Sequence, residues 1–532
     1  LEVYVALALL SAKVFTGDPA RPWAEAVGIE NGKIAAVGSN GEVMSTLTGK
    51  VDKLSLPGRL VTPGLVDGHC HFLNYGLFLQ RVDLRDLPSL AACRDRIREA
   101  VRCSKPGHWI VGRGWNHHFW EEKREPHRGD LDDIAPENPI MMVRACGHSQ
   151  WVNSRALAAA KITRGTPDPA GGKIDRDPRS GEPTGMLREL RYLIERVIPV
   201  PSLEERKKAV LLAQEHALRV GITGAHTCER FQQWEAFEAL DREGALKVRV
   251  YHLLPPDDLD EAAAHGVRPG HGSERLWAGH MKLYADGSLG AGTALLHEPY
   301  TDEPGNSGLA VLDLPLLQEK IEIAYRRGFH VGIHAIGDKA VTHCLLAIAG
   351  ARKAHPGPRR DRIEHVQVYR PEDLTLFREL GIVGSVQPRF IATDWCVAEK
   401  RWGAERCRTG YAWRSLMDAG IPLLFGSDAP VEPMDPILGL HAAVTRQTPE
   451  GNPPGGWFPE QRLALEESLS AFTTAPAWVS GREDRAGRIR AAHWADLTVF
   501  ARDLFVTPES EWPSVPVEMT IVNGEVLYQH GE

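Results

Sequence analysis

Two histidines stand one residue apart in VTPGLVDGHCHF, at His69 and His71. The run before them is apolar, and in a β-strand residues i and i+2 point to one face. A strand over 60–69 therefore delivers two imidazoles side by side at its C-terminal end, where neutral ring nitrogens can grip one divalent metal. A lone pair of this kind is more often a solvated loop feature, so the reading depends on what the rest of the chain supplies.

It supplies partners at comparable places. Lys282 in HMKLYADGSLG, His334 in HVGIHAIGD, His365 in DRIEHVQ and Asp428 in IPLLFGSDAP each sit at or near the end of an apolar, strand-like run. Singly, each has an ordinary explanation: a hydrogen-bonded core histidine, half of an ion pair, a helix cap. Jointly they are the donor types that suit zinc and similar divalent ions. Four histidines and an aspartate suffice for one metal and nearly suffice for two.

The elements that must position them follow from the pattern. Strand-like runs at 60–69, 221–226, 248–253, 280–285, 330–334, 362–366, 382–386 and 421–426 alternate with helical segments, as in a parallel α/β fold. Eight such strands predict a (β/α)8 TIM barrel over 60–483, whose chemistry belongs at the C-terminal ends of the strands. The chain before Leu60 and after about residue 484 reads as short strands with tight turns, including an Asn-Gly at 31–32 and another at 523–524. Neither end has enough strands to stand alone. Residues 1–59 and 484–532 are therefore expected to build one composite β-sandwich domain. The stretch 105–190 is too long for a crossover helix and predicts a subdomain inserted between the first and second barrel strands, over the barrel mouth.

Composition narrows the class. Of 532 residues, 43% are hydrophobic and 25% charged, the balance of a soluble globular protein. A net charge of -8 without a basic patch argues against a nucleic-acid partner, and no apolar run reaches membrane-spanning length. Eight scattered cysteines without a C-x-x-C pair argue against a disulfide scaffold and fit a reducing, cytoplasmic setting. There is no H-E-x-x-H, no G-x-S-x-G and no P-loop. No segment marks an interface, and a homodimer stays open.

PGLVDGHCH resembles the first metal motif of the amidohydrolase superfamily, and the order H-x-H, Lys, His, His, Asp resembles its metal-dependent hydrolases. GRGW, GHSQWVNSRAL, TPDPAGGKI, GEPTGML, KLYADGSLG, HAIGDKA, RIEHVQ and GSDAPVEPMDP resemble the amidohydrolase-3 branch, which includes N-substituted formamide deformylase. The resemblance spans nearly the whole chain. It implies that His69, His71 and Asp428 hold the more buried of two metals, that His334 and His365 hold the second, and that Lys282 bridges them as an N-carboxylated lysine. It further implies zinc as the metal. The expected reaction is attack of a metal-bound hydroxide on the carbonyl of a small-molecule amide or N-formyl substrate, with Asp428 as the catalytic proton carrier. Ala291-Gly292 and Cys146 depart from the family pattern, away from the metal residues, so a relative's specificity does not transfer directly.

Trp115, His148, Asp286, Gln387 and Arg389 are candidate substrate contacts, as is Trp395. Trp109, Trp115, Phe119, Trp120 and Trp151 either roof an apolar pocket or form the insertion's own core. Two alternatives stand beside the hydrolase. One is a mononuclear deaminase-type enzyme, disfavoured because Gly337 occupies the place, three residues after His334, where such enzymes carry a Glu. The other is a non-catalytic regulatory or binding protein on a hydrolase fold.

Overall fold

The computed structural model describes residues 6–169 and 171–531, in two compact units. The first comprises the chain up to Gly76 and from Arg206 onward.

In this first unit, eight strands form one sheet in chain order. They are Leu65–Cys70 (β1), Ile222–Cys228 (β2), Arg249–Leu254 (β3), Leu276–Tyr284 (β4), His330–Ala335 (β5), Arg362–His365 (β6), Val383–Val386 (β7) and Leu423–Phe425 (β8). Every hydrogen-bonded pair among them is parallel. Just beyond the strand ends, the Asp428 N–H donates to the His69 carbonyl at 2.7 Å and the His71 N–H to the Ala429 carbonyl at 2.8 Å. These bonds bring β8 back to β1 and nearly close the barrel. β2 and β3 are buried along their whole length, which is why they read as near-continuous apolar runs.

The helices follow local rules. Leu314–Arg326 starts where the Asp313 carboxylate accepts the Leu316 N–H at 3.0 Å, with Pro315 in its first turn. It buries Leu317, Ile321, Ala324 and Tyr325, one stripe at helical spacing.

The strand read from sequence as 60–69 is two strands. Leu60–Pro63 pairs with Leu497–Phe500 in a six-stranded sheet made from both ends of the chain, while Leu65–Cys70 enters the barrel. Gly64 makes the change of sheet, since a Cβ there would meet Thr223 Oγ1 at 2.3 Å. The second terminal sheet has four strands, Lys33–Gly38, Ala26–Glu30, Ala6–Leu10 and Val51–Ser55 in spatial order. Leu9, Val27 and Ile29 of this sheet share one core with Val61, Leu497, Val499 and Ile521 of the other. The first five residues of the expected N-terminal meander lie outside the described residues.

The second unit, Leu77–Glu205, is wider than the 105–190 read from sequence. Val82–Asp83 pairs with Ile110–Trp115 as the edge of a six-stranded sheet, and the helix Leu90–Arg102, capped by Ser89, packs on the same core. The aromatic cluster is that core: Trp115, Trp120 and Trp151 are buried with ring centroids 5.9 to 6.3 Å apart. Phe119 is exposed. Among the described residues no helix is long and apolar enough to cross a membrane.

Candidate metal centre

β1, β5, β6 and the turn after β8 bring four imidazoles and a carboxylate to one edge of the barrel. The ring centroids of His69 and His71 are 6.0 Å apart, those of His69 and His365 5.0 Å, and those of His334 and His365 4.5 Å. Asp428 Oδ1 lies 3.6 Å from His69 Nε2 and 3.4 Å from His71 Nε2. Donor atoms of His69, His365 and Asp428 all lie within 4.8 Å of one another. His365 and Asp428 have φ of +75° and +58°, and the next residue after His365, Val366, has +44°. Backbone held there is strained for residues other than glycine, and such strain concentrates at functional sites.

Each imidazole has one ring nitrogen against an oxygen acceptor. His69 Nδ1 is 2.7 Å from Glu364 Oε2, and His71 Nδ1 is 2.7 Å from the Cys228 carbonyl. His365 Nδ1 is 2.8 Å from Gln387 Oε1, and His334 Nε2 is 2.8 Å from the Gly287 carbonyl. An N–H placed on those nitrogens leaves the opposite nitrogen of every ring with its lone pair free, the tautomer a metal ligand needs.

Charge in the site is balanced by protons. Burial disfavours the His69 imidazolium and Lys282 adds to that, but Cys228 and Glu364 outweigh both and lift it to about 10. Burial opposes the Asp428 carboxylate, yet its bond to His71 and the nearness of His69 and His365 hold it well below the usual carboxylate range. Burial, with the Lys282 cation, pushes His334 down to about 4, and burial pushes His365 far down. Burial works against the Lys282 ammonium too, but Cys228, Glu364, Tyr284 and Asp428 raise it overall. Lys282 Nζ is buried without a hydrogen-bond partner among the described residues.

These residues fit a divalent cation. The donors are imidazole nitrogens and a carboxylate oxygen, and an ion would displace the protons that now balance the charge. The orphaned Lys282 Nζ fits a group that becomes an oxygen ligand when carboxylated, since an ammonium has only donors. A cavity of about 500 Å³ adjoins the site, with His71, Cys228 and Lys282 among its polar lining and Pro255, Tyr284 and Val311 among its apolar lining.

A model of the amidohydrolase family matches residues 54–528. The chain belongs to the amidohydrolase family. It is 33% identical to the amidohydrolase YtcJ of Bacillus subtilis (strain 168) over 515 residues, covering 95% of this chain and 96% of that protein. It is 28% identical to N-substituted formamide deformylase of Arthrobacter pascens over 545 residues, covering 98% of each. A metal-dependent hydrolase of Pyrococcus furiosus superposes with a TM-score of 0.79 at 31% identity, covering 94% of this chain and 99% of that one. The protein is accordingly a metal-dependent hydrolase of the amidohydrolase family.

The residues read as substrate contacts make the following bonds in this amidohydrolase. Gln387 gives its amide oxygen to His365. Asp286 is buried and accepts the N–H groups of Leu295, Ile336 and Gly337, tying the loop after β4 to the end of β5. Arg389 Nε lies 3.4 Å from Glu432. In the second unit, Trp115 is buried and donates its indole N–H to the Met142 carbonyl at 2.8 Å, while His148 is exposed and pairs with Glu189 at 2.9 Å.

Sequence reasoning missed Cys228, Glu229 and Glu364. Cys228 closes β2 beside His71, and interactions with His69 and Lys282 outweigh burial to draw its thiol down to about 7. Glu229 accepts the Leu73 and Asn74 N–H groups and so fixes the turn after His71. The available signal for Glu364 was its position directly before His365 in RIEH.

Proposed function

We propose that this amidohydrolase cleaves a carbon–nitrogen bond of the amide or N-formyl type in a small molecule. Two zinc ions would be held by His69, His71, His334, His365 and Asp428, with Lys282, carboxylated on Nζ, as the oxygen ligand they would share. The observation that carries the proposal is the gathering of four histidines and Asp428 at one edge of the barrel, each imidazole with one nitrogen against an oxygen acceptor. The C–N bond is supported by the likeness to N-substituted formamide deformylase.

A divalent ion there supplies Lewis acidity toward the substrate carbonyl and makes water acidic enough to be a nucleophile near neutral pH. The chain's own residues do the rest. His69 and His71 flank Asp428 Oδ1 and keep it ionised, so that oxygen can accept the proton of the attacking water. The same oxygen returns the proton to the departing nitrogen as the tetrahedral adduct collapses. The apolar side of the cavity, with Pro255, Tyr284 and Val311, receives the substrate's organic substituent and limits water.

The test is amine release from a panel of N-substituted formamides and simple amides by metal-loaded protein, alongside Asp428→Asn. The parent should turn over members of the panel. The variant should lose at least about 10²-fold in kcat with an unchanged circular-dichroism spectrum. An inert parent contradicts the substrate class, and an Asp428→Asn variant with parental kcat contradicts the role of Asp428. One observation favours a second reading: among the described residues only His69, His365 and Asp428 have ligand atoms that all lie within 4.8 Å of one another, which supports a mononuclear hydrolase.

A further inference from the structure

TIM-barrel interiors are ordinarily filled by branched apolar side chains. Here Arg362, Glu364 and His226 are buried. Arg362 and Glu364 are two residues apart on β6 and so share its inner face. Glu364 Oε2 is the oxygen 2.7 Å from His69 Nδ1, and its other oxygen, Oε1, lies 2.7 Å from Arg362 Nε. Arg362 Nη1 donates to the Gly68 carbonyl at 2.9 Å and lies 3.1 Å from His226 Nδ1. One guanidinium thus pairs by charge with the carboxylate that faces His69 and donates a hydrogen bond to the backbone just before His69.

Taking a guanidinium and a carboxylate out of water is costly, and well-packed apolar residues of similar volume often serve stability as well or better. The pair's geometry, however, ends on a proposed ligand. We propose that Arg362 and Glu364 are positioning residues of the metal centre. Arg362 faces the Glu364 carboxylate, Glu364 accepts a hydrogen bond from the Nδ1–H of His69, and the Nε2 lone pair is left aimed at the ion. By its bond to Gly68, Arg362 also sets where the end of β1 stands. This rests on the reading of the site as a metal centre.

The test separates positioning from mere packing by replacing both ions at once, so that no buried charge is orphaned. Arg362→Met/Glu364→Leu should fold with a metal-free thermal midpoint at or above that of the parent. Its zinc dissociation constant, from chelator competition, should rise about 10- to 100-fold. Arg362→Met/Glu364→Gln, which restores an acceptor for the His69 N–H, should recover part of that loss. A parent that binds zinc and a double variant that binds it equally well overturn the positioning role alone. A parent that binds no zinc overturns both this role and the reading of the site. Should the double variant not fold, nitrogen-15 spectra of histidine-labelled, zinc-loaded parent decide the matter. A protonated Nδ1 and a coordinated Nε2 on His69 support the role, and the reverse tautomer overturns it.

Discussion

A buried histidine in this protein is either a candidate ligand or a core residue, and the side chains around its ring separate the two. His252 on β3 is of the second kind. It is buried, its Nε2 is 2.9 Å from the Glu229 carbonyl, and its ring packs on Trp234 and Phe237 at 5.7 and 6.1 Å. Burial pushes it from 6.5 down to about 4, so it folds neutral. For a base whose pKa falls on folding, the unfolded chain takes up the proton first as pH drops. Stability is therefore fully present above 6.5 and is lost as pH falls from there toward 4. Each pH unit in that window costs at most about 1.4 kcal/mol per such imidazole. Urea unfolding of metal-free protein at several pH values between 7.5 and 5 should show His252→Gln losing stability less steeply than the parent. Equal slopes contradict the assignment. At this scale strand alternation and strand ends, properties of the chain itself, make His69, His71, His365 and Asp428 readable as candidate ligands. The bonds of Gln387 to His365 and of Asp286 to a loop were not readable. Nearness to a strand end says nothing about which donor a side chain will meet.

Between elements, the critical join is β8 against β1. Gly426 follows β8, and a Cβ there would stand 2.4 Å from the His69 backbone nitrogen. Backbone cannot yield as a flexible side chain would, so Gly426→Ala must push the end of β8 away from His69 and carry Asp428 with it. The expected outcome is a loss of zinc affinity of at least about 10-fold and a destabilisation of about 1–3 kcal/mol, read by chelator competition and thermal unfolding. Parental affinity in that variant contradicts the claim that this contact sets the site. The barrel strands were legible as apolar runs alternating with helical segments. The division of 60–69 into two strands was not, because Gly64 alone separates Leu60–Pro63 from Leu65–Cys70 and the change lies in their partner sheets.

At the scale of the whole molecule, the family match over 54–528 takes in the barrel, the second unit and, of the terminal sheets, the strands Leu60–Pro63, Leu497–Phe500 and Val517–Val522. The two chain ends share a turn grammar, and Leu60–Pro63, just past the expected 1–59, pairs with Leu497–Phe500. The extent of the second unit was not legible, because Val82–Asp83 is a two-residue edge strand with no periodicity to read. The central claim is a two-metal centre bridged by Lys282. Metal content per chain, measured on protein purified without chelator beside Lys282→Ala, tests it most directly. The account predicts about two zinc ions per parent chain and fewer in the variant. One ion per chain, unchanged by the substitution, contradicts the bridge and leaves a mononuclear site built on His69, His365 and Asp428.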